Sequence, residues 1–264
     1  MTSLRGKHII ITGGGSGIGR AIALGAAAAG AQVAVAGRRA DALRETRALA
    51  GARAGSVLAR VADVTDPASI GDLAAECHRM WGRIDGLVNS AGIAQIGHAE
   101  QLADEDFEQV LAVNVTGSFR AARDVGRRMI ADGGGSILNI GSLTSVGGFP
   151  GRAAYAVSKH AVIGLTKALA AEWGSRGVRV NALIPGFVRT PMTDAAVRRG
   201  LLDLAAITER TPLGRRAEPG EMVGPALFLL SDAAQFVTGE CLVADGGWTA
   251  YVGPVSEFAR KPPS

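Results

Sequence analysis

Strand-forming and helix-forming segments alternate along almost the whole chain. Short runs rich in β-branched residues predict strands at 8–12, 32–37, 56–61, 84–88, 136–141, 178–183 and 241–244. Alanine-rich segments with helical periodicity predict helices at 17–30, 41–50, 67–81, 104–131, 152–176 and 219–230. Strands separated by helices pair in parallel through right-handed crossovers. The alternation therefore predicts an α/β, doubly wound fold: a seven-stranded, mostly parallel sheet with helices on both faces.

The length and composition of the chain predict a single domain. The chain has 264 residues, of which 47% are hydrophobic, so it can bury a sizeable core, and no linker or internal repeat divides it. We expect one domain at 1–253, with a lid over the site at about 190–216 and a C-terminal tail at 254–264.

The charge pattern argues against a nucleic-acid partner. The formal net charge is +4 and the pI is about 9.5, but the basic residues are scattered as doublets that never grow into a run. A nucleic-acid interface needs a basic stripe, usually with interleaved aromatic residues, and the sequence has none.

Cysteines and apolar segments exclude further classes. Cys77 and Cys241 are the only cysteines, too few for a zinc cluster or a disulfide framework, so no metal site is predicted. Residues 1–7 lack the apolar core of a secretion signal, and no run approaches the ~20 apolar residues that span a membrane. We therefore expect no membrane association and a cytoplasmic location.

A glycine-rich turn joins the first strand to the first helix. Residues 12–19 read Thr-Gly-Gly-Gly-Ser-Gly-Ile-Gly. Gly13 permits a tight turn, Gly17 lets backbone N–H groups approach a pyrophosphate, and Gly19 allows close packing of helix on strand. The positive end of the helix adds a binding site for phosphate. This context predicts dinucleotide binding on a Rossmann fold.

Tyr155 and Lys159 are four residues apart on a predicted helix, and Ser142 lies upstream at the end of a predicted strand. Four helical positions advance about 400°, so the phenol and the ammonium share a face. A phenol has an unperturbed pKa of about 10, and a nearby cation favours phenolate, which makes a better base near neutral pH. This pair suits proton transfer at an alcohol or ketone.

These motifs together resemble the short-chain dehydrogenases/reductases, and within them the single-domain branch that includes 3-oxoacyl-carrier-protein reductases. Nearly the whole chain takes part, and the motifs occur in family order: the glycine turn, Asp63-Val64, Asn89-Ser-Ala-Gly92, Asn114, Ser142, Tyr155-x-x-x-Lys159 and Pro185-Gly186. Two departures are small. The usual Asn-Asn-Ala-Gly has Ser90 at its second position, and the frequent Ser-Ser pair is Gly141-Ser142.

The resemblance implies an oxidoreductase that moves a hydride between a nicotinamide cofactor and a secondary alcohol or ketone. Tyr155 is expected to be the general acid/base, and Ser142 to hydrogen-bond the reacting oxygen. Lys159 is expected to lower the pKa of Tyr155 and to hold the nicotinamide ribose. Asn114 is expected to position a water that relays protons to Lys159.

The end of the second strand bears on cofactor choice. A carboxylate there would accept hydrogen bonds from the adenosine ribose and select NAD, but this chain has Gly37, Arg38 and Arg39. Gly37 leaves room for a 2′-phosphate that Arg38 can clamp, so NADP(H) is favoured and NAD(H) is the alternative. Ser16 adds a hydroxyl.

Further cofactor contacts are implied by the resemblance. Asp63 matches the adenine-binding aspartate, Asn89 the residue that steadies the central sheet, and residues 184–190 the stretch that contacts the carboxamide. The full set of expected cofactor residues is Gly13, Gly15, Ser16, Gly17, Ile18, Gly19, Arg38, Arg39, Asp63, Val64, Asn89, Ala91, Gly92, Tyr155, Lys159, Pro185, Gly186, Val188 and Thr190.

The sequence leaves the substrate open. A 3-oxoacyl thioester and a polyol or sugar are not separated, and a nucleotide-binding protein without turnover or an epimerase-like enzyme are further alternatives. Phe149 offers an apolar surface. Arg152, Arg198, Arg199 and Arg210 either attract an anionic substrate or are simply solvated, and His98 is either at the pocket mouth or a plain loop residue. By resemblance we expect a homotetramer, with a dimer as second choice.

Overall fold

The computed structural model describes residues 3–251 and shows one seven-stranded sheet with the order β3-β2-β1-β4-β5-β6-β7. The strands are β1 His8–Thr12, β2 Gln32–Gly37, β3 Val57–Val61, β4 Gly86–Asn89, β5 Gly135–Ile140, β6 Val178–Pro185 and β7 Cys241–Ala244. Each strand is parallel to its neighbours, so the predicted doubly wound fold is confirmed and the expected "mostly parallel" sheet is parallel throughout these residues.

Helices cover both faces of the sheet. They are α1 Gly17–Ala28, α2 Ala40–Leu49, α3 Pro67–Trp81, α4 Asp104–Leu111, α5 Gly117–Ala131, α6 Ala153–Trp173, α7 Pro191–Arg198, α8 Leu204–Arg210 and α9 Val223–Leu230. One core layer packs α1, α2 and α9 against the sheet, and the other packs α3, α5 and α6 against its opposite face.

The first strand shows why a continuous apolar run forms a central strand. Ile9 and Ile11 point into the layer of α1, and Ile10 points into the layer of α3 and α5. All three are at most 1% exposed, as expected for a parallel strand buried on both sides. Burying each such side chain stabilises the fold by about 1.5–3 kcal/mol.

The strand order reverses between β1 and β4, which are neighbours although β2 and β3 come between them in sequence. In open α/β sheets ligands bind outside the carboxyl ends of the strands at this point. The glycine turn follows β1, and Ser142 closely follows β5, so the topology brings both to the same edge.

Two predicted segments differ from the structure. The single helix expected at 104–131 is divided into α4 and α5 by a π-helical turn, Ala112–Thr116. The segment expected to be a lid, for which no helix was predicted, contains α7 and α8. The periodicity of the sequence did not reveal these features. A single extra residue in a turn barely changes the hydrophobic pattern, and a helix of seven or eight residues is too short to repeat it.

Within residues 3–251 no helix has the length and apolar character that crossing a membrane requires. The tail expected at 254–264 lies outside the described residues.

Candidate active site

The glycine turn lies directly against the backbone that follows β4. Gly13 has φ +69°, and a Cβ there would lie 2.6 Å from the amide nitrogen of Ala91. A Cβ at Gly19 would lie 2.5 Å from the carbonyl oxygen of Gly13. Both contacts are with backbone and cannot relax by moving a side chain, so only glycine fits.

A cleft of about 600 Å³ runs from the glycine turn to Tyr155. Its glycine end is formed by residues 12–18, 36–39 and 62–64, and its tyrosine end by residues 142–155 and 187–202, with residues 90–96 between them. Of the expected residues, those lining the cleft are Gly13, Gly15, Ser16, Gly17, Ile18, Arg38, Arg39, Asp63, Val64, Ala91, Gly92, Ser142, Tyr155, Lys159, Pro185, Gly186, Val188 and Thr190.

The N-terminus of α1 opens into the glycine end. Ser16 is its N-cap residue, yet its side chain makes no capping hydrogen bond, and the first turn contains no acidic residue. The amide N–H groups and the positive end of the helix dipole are thus available to an anion. The Arg39 guanidinium lies 3.4 Å from the Ser16 hydroxyl.

Arg20 and Thr46 hold the turn from behind, a pair that the sequence reading missed. The Arg20 guanidinium donates to the Gly15 carbonyl at 2.5 Å, and the buried Thr46 hydroxyl donates to the Gly14 carbonyl at 3.0 Å. No motif marks these residues, because a helix arginine and a threonine 26 positions later become neighbours only when α1 and α2 pack together.

The glycine end has room and positive charge at the end of β2. A Cβ added at Gly37 would meet only one atom within 4 Å, a Leu43 methyl at 3.8 Å. Arg38 faces Asp63, whose carboxylate accepts hydrogen bonds from the Thr65 amide at 2.9 Å and hydroxyl at 2.8 Å. Burial raises the pKa of Asp63, but these hydrogen bonds and the charge of Arg38 outweigh it, and the pKa is lowered.

Tyr155 and Ser142 meet at the tyrosine end. Ser142 caps the short turn Leu143–Ser145, with its Oγ accepting from the Thr144 amide at 3.3 Å, which fixes the hydroxyl at the end of β5. Burial raises the pKa of Tyr155, whereas a hydrogen bond with Ser142 and the positive charge of Arg152 lower it. The result is a raised pKa, so the phenol is held in its protonated form in the structure.

Lys159 lies below Tyr155 and is buried. Its Nζ is 5.7 Å from the centre of the Tyr155 ring and donates to the Ile140 carbonyl at 2.7 Å. Burial alone lowers the pKa of Lys159 to about 8. The charge of Arg152 lowers the pKa of the Tyr155 phenol, and a further lowering by Lys159 stays a prediction.

Asn114 lies in the π-helical turn and is fully buried. Its Oδ1 accepts from the Ile93 amide at 2.9 Å, and its Nδ2 donates to the Ile93 carbonyl at 2.9 Å and to the Ser158 hydroxyl at 3.0 Å. A Cβ at Gly92 would lie 3.2 Å from Asn114 Oδ1 and 3.8 Å from Lys159 Nζ. The absence of a side chain at Gly92 therefore leaves a gap between the amide and the ammonium.

Three expected residues support the cleft without lining it: Gly19, Asn89 and Asn114. Asn89 bridges strands by donating to Asn139 Oδ1 at 2.9 Å. The Val188 side chain packs in the core and is 2% exposed, so Val188 contributes backbone atoms to the cleft.

An aromatic cluster lies at the tyrosine end, where Phe149 and Phe187 line the cleft. The rings of Phe149 and Phe187 both pack against Trp248, with centroid distances of 6.3 and 5.0 Å. The sequence analysis found Phe149 but missed Phe187 and Trp248. Phe187 follows Pro185-Gly186 directly, which is the signal that could have identified it.

The four candidate arginines separate in the structure. Arg152 and Arg199 line the cleft, Arg198 does not, and Arg210 lies over the Trp248 ring at 4.6 Å. His98 is absent from the lining. Within the part of the chain that the structure describes, no group of three His, Cys, Asp or Glu side chains is placed to hold a metal ion.

The cleft combines a phosphate-binding helix terminus with a proton-transfer pair, and comparison with known proteins agrees with it. A family model described as Enoyl-(Acyl carrier protein) reductase matches residues 13–249. Galactitol 2-dehydrogenase (L-tagatose-forming) of Cereibacter sphaeroides is 46% identical over 94% of this chain and 97% of its own length.

Solved structures agree in fold as well as in sequence. A putative NAD(P)-dependent gluconate 5-dehydrogenase from Beutenbergia cavernae with bound NADP is 46% identical, with a TM-score of 0.89 over 95% of this chain and 99% of the other. A gluconate 5-dehydrogenase from Burkholderia cenocepacia J2315, in complex with NADP and tartrate, is 36% identical, with a TM-score of 0.87 over 95% and 98%. With its glycine turn, Tyr155, Lys159 and Ser142 all in place, the chain belongs to the short-chain dehydrogenase/reductase family.

Proposed function

We propose that this protein interconverts a secondary alcohol of a polyol or sugar acid and the corresponding ketone, using NADP(H), with Tyr155 as the general acid/base. Membership of the family establishes that the chain is a nicotinamide-dependent oxidoreductase acting on CH–OH groups. The meeting of Ser142, Tyr155 and Lys159 in the cleft that begins at the glycine turn supports the acid/base role. The substrate class is supported by the names of similar proteins.

The residues of the glycine end fit a dinucleotide phosphate. The uncapped N-terminus of α1 faces the cleft, Gly37 leaves space, and Arg38 and Arg39 supply the charge that a 2′-phosphate requires. Asp63 is held as an anion beside them. When bound, the cofactor supplies or accepts the hydride.

Tyr155 carries the proton half of the reaction. In reduction the protonated phenol donates its proton to the carbonyl oxygen, and in oxidation the phenolate takes the alcohol proton. The raised pKa suits the reductive direction, because the donor is then protonated near neutral pH. Ser142 hydrogen-bonds the same oxygen and stabilises the negative charge that develops on it.

Lys159 and Asn114 support proton supply. A lysine with a pKa of about 8 exchanges its proton readily near neutral pH. The gap at Gly92 lies between Lys159 and Asn114, and a water there can accept from Lys159 and pass the proton on. Replacing Gly92 with Ala fills this gap without touching Tyr155.

A 3-oxoacyl thioester is the competing substrate class, because the matching family model is described as an acyl-carrier-protein enzyme. We favour polyols and sugar acids because the similar proteins compared above are named as dehydrogenases of these compounds. Rates with NADP+ and polyols or sugar acids, set against rates with NADPH and 3-oxoacyl thioesters, separate the two classes.

We further propose a cytoplasmic homotetramer, with a dimer as the alternative, and a lid at 190–216 that closes over substrate. Half-exposed apolar side chains on the outer faces of α5 and α6, Phe119 (41%) and Val157 (48%), offer an interface. Both cysteines are free, as in a reducing compartment. Light scattering gives the assembly, and a monomer would contradict it.

The decisive test of the mechanism is Tyr155→Phe, which removes only the phenolic OH. Positioned acid/base groups contribute about 100-fold to 10,000-fold to rate, so kcat should fall within or beyond that range. NADPH binding, followed by fluorescence, should change less than threefold. Turnover within tenfold of wild type, with binding intact, would reject Tyr155 as the acid/base.

A further inference from the structure

The charges in the cleft are distributed unevenly. Five cationic side chains line it, Arg38, Arg39, Arg152, Lys159 and Arg199, but the only carboxylate in its lining is Asp63. Asp63 belongs to the glycine end, where it faces Arg38. The tyrosine end therefore contains cations and no anion among the described residues.

Most arginines near this end are already neutralised. Arg216 pairs with Asp194 at 2.9 Å, Arg189 pairs with Glu218 at 3.2 Å, and Arg215 pairs with Glu221 at 2.7 Å. Arg210 stacks on Trp248. Unlike these residues, Arg152 and Arg199 make no side-chain hydrogen bond or ion pair with any residue between 3 and 251.

Arg152 is the more constrained of the two. It lies immediately before α6 and three residues before Tyr155, and its guanidinium is close enough for its charge to act on the phenol. It is half-buried, and burial lowers its pKa, a desolvation cost that the nearby Tyr155 phenol offsets only in part. An unpaired, partly desolvated guanidinium gains most from an anionic ligand.

We propose that Arg152 is a specificity residue that binds the carboxylate of a hydroxy-acid or oxo-acid substrate, with Arg199 contributing from the end of α7. This inference rests on the proposed function, because it places the reacting carbon of the acid at Tyr155. A carboxylate pairs with one planar guanidinium through two parallel hydrogen bonds, so Arg152 can hold an acid group in a defined orientation. Phe149 and Phe187, which pack on Trp248, supply the apolar side of the same pocket.

The test compares D-gluconate with D-sorbitol, a neutral polyol of the same carbon number, each oxidised with NADP+. Wild type should prefer the acid at least tenfold in kcat/KM. Arg152→Gln should lower the ratio of acid to polyol at least tenfold, mainly through the KM for the acid. Arg152→Lys, which keeps the charge but loses the paired hydrogen bonds, should fall between them.

Arg198→Gln is the matched control, because Arg198 is the neighbouring arginine on α7, is exposed and does not line the cleft. It should leave the ratio within twofold. The ratio also separates substrate binding from an effect on Tyr155, since a change in the Tyr155 pKa slows both substrates alike. Equal loss on both substrates in Arg152→Gln, or a wild-type preference for the polyol, would overturn the proposal.

A binding measurement does not depend on turnover. Tartrate, used as a carboxylate probe, should raise the Tm of the wild-type complex with NADP+ and of Arg198→Gln, but not that of Arg152→Gln. If wild type oxidises neither gluconate nor sorbitol, the proposed alcohol substrate is wrong, and the tartrate result still decides the carboxylate site. No shift in wild type would refute the site.

Discussion

The two ends of the cleft are built in different ways. Backbone at the glycine end is fixed from the interior: Arg20 and Thr46 hold the carbonyls of Gly15 and Gly14, and Gly13 packs on Ala91. The tyrosine end includes exposed residues of the segment after β6, among them Met192, 43% exposed, and Leu201, 38% exposed. The glycine end is therefore held by contacts with the interior, whereas part of the tyrosine end faces solvent.

Gly13→Ala should have the largest effect, because it disturbs the tightly packed glycine end. Its Cβ would require a positive φ and would meet backbone at 2.6 Å, so NADPH affinity should fall at least about 100-fold, equivalent to about 3 kcal/mol. The control is Gly214→Ala outside the cleft lining, where φ is nearly the same, +68°, but no atom lies within 4 Å of the added Cβ. That change should cost only the backbone strain of about 1 kcal/mol in unfolding free energy. Equal losses of NADPH affinity would mean that packing does not distinguish the two positions.

Lys159, at the junction of the two ends, makes stability depend on pH. Its pKa falls from 10.5 to about 8 on folding because the ammonium is buried. A depressed lysine pKa means that the unfolded chain holds more protons between these values, so stability rises with pH across this window. Relative to Lys159→Met, the unfolding free energy of wild type should increase by about 3 kcal/mol from pH 8 to 10.5. A flat difference in denaturant titrations would contradict a buried charged lysine.

Arg38→Gln tests whether Arg38 binds the 2′-phosphate at the glycine end. A hydrogen bond to a charged group contributes about 1.5–3 kcal/mol, so the preference for NADPH over NADH should fall about tenfold to 100-fold, measured by their dissociation constants. Arg44→Gln on the exposed face of α2 is the control and should leave the preference unchanged. An unaltered preference in Arg38→Gln would assign 2′-phosphate binding elsewhere.

The smallest effect is expected from Arg216→Gln at the tyrosine end. Arg216 is 13% exposed and ties Asp194 of α7 to the segment after α8, so the variant should raise KM for substrate about twofold to threefold and lower Tm slightly. The exposed pair of Arg215 and Glu221 supplies the control, and Arg215→Gln should change neither quantity. A larger effect in the control would mean that the Arg216–Asp194 pair does not order α7.

The fold and the reacting residues could be predicted from sequence because each depends on local order. Strand His8–Thr12 and helix Pro67–Trp81 were found with their observed bounds, since the first is a continuous apolar run and the second has Asp66 and Pro67 at its start and Gly82 at its end. Tyr155 and Lys159 share a helix, so their spacing already fixes their relation.

What could not be predicted depends on tertiary contact. Thr46 reaches the glycine turn only through packing, and the Tyr155 pKa depends on burial, on Ser142 and on Arg152, which the helical spacing does not reveal. Similarly, the four candidate arginines looked equivalent in the sequence, and only the structure separated them: Arg152 and Arg199 line the cleft, Arg198 does not, and Arg210 stacks on Trp248.

The π-helical turn at Ala112–Thr116 has a consequence for insertions and deletions in this chain. Each residue rotates a helix by about 100°, so the wide turn stores one residue more than an α-helix would need between α4 and α5. Deleting Ala112 would allow a regular helix to form, and α5 could keep its buried face against the sheet. Asn114 would then be drawn away from Ile93. A length change at this point would thus spare the scaffold while disconnecting the amide next to Lys159.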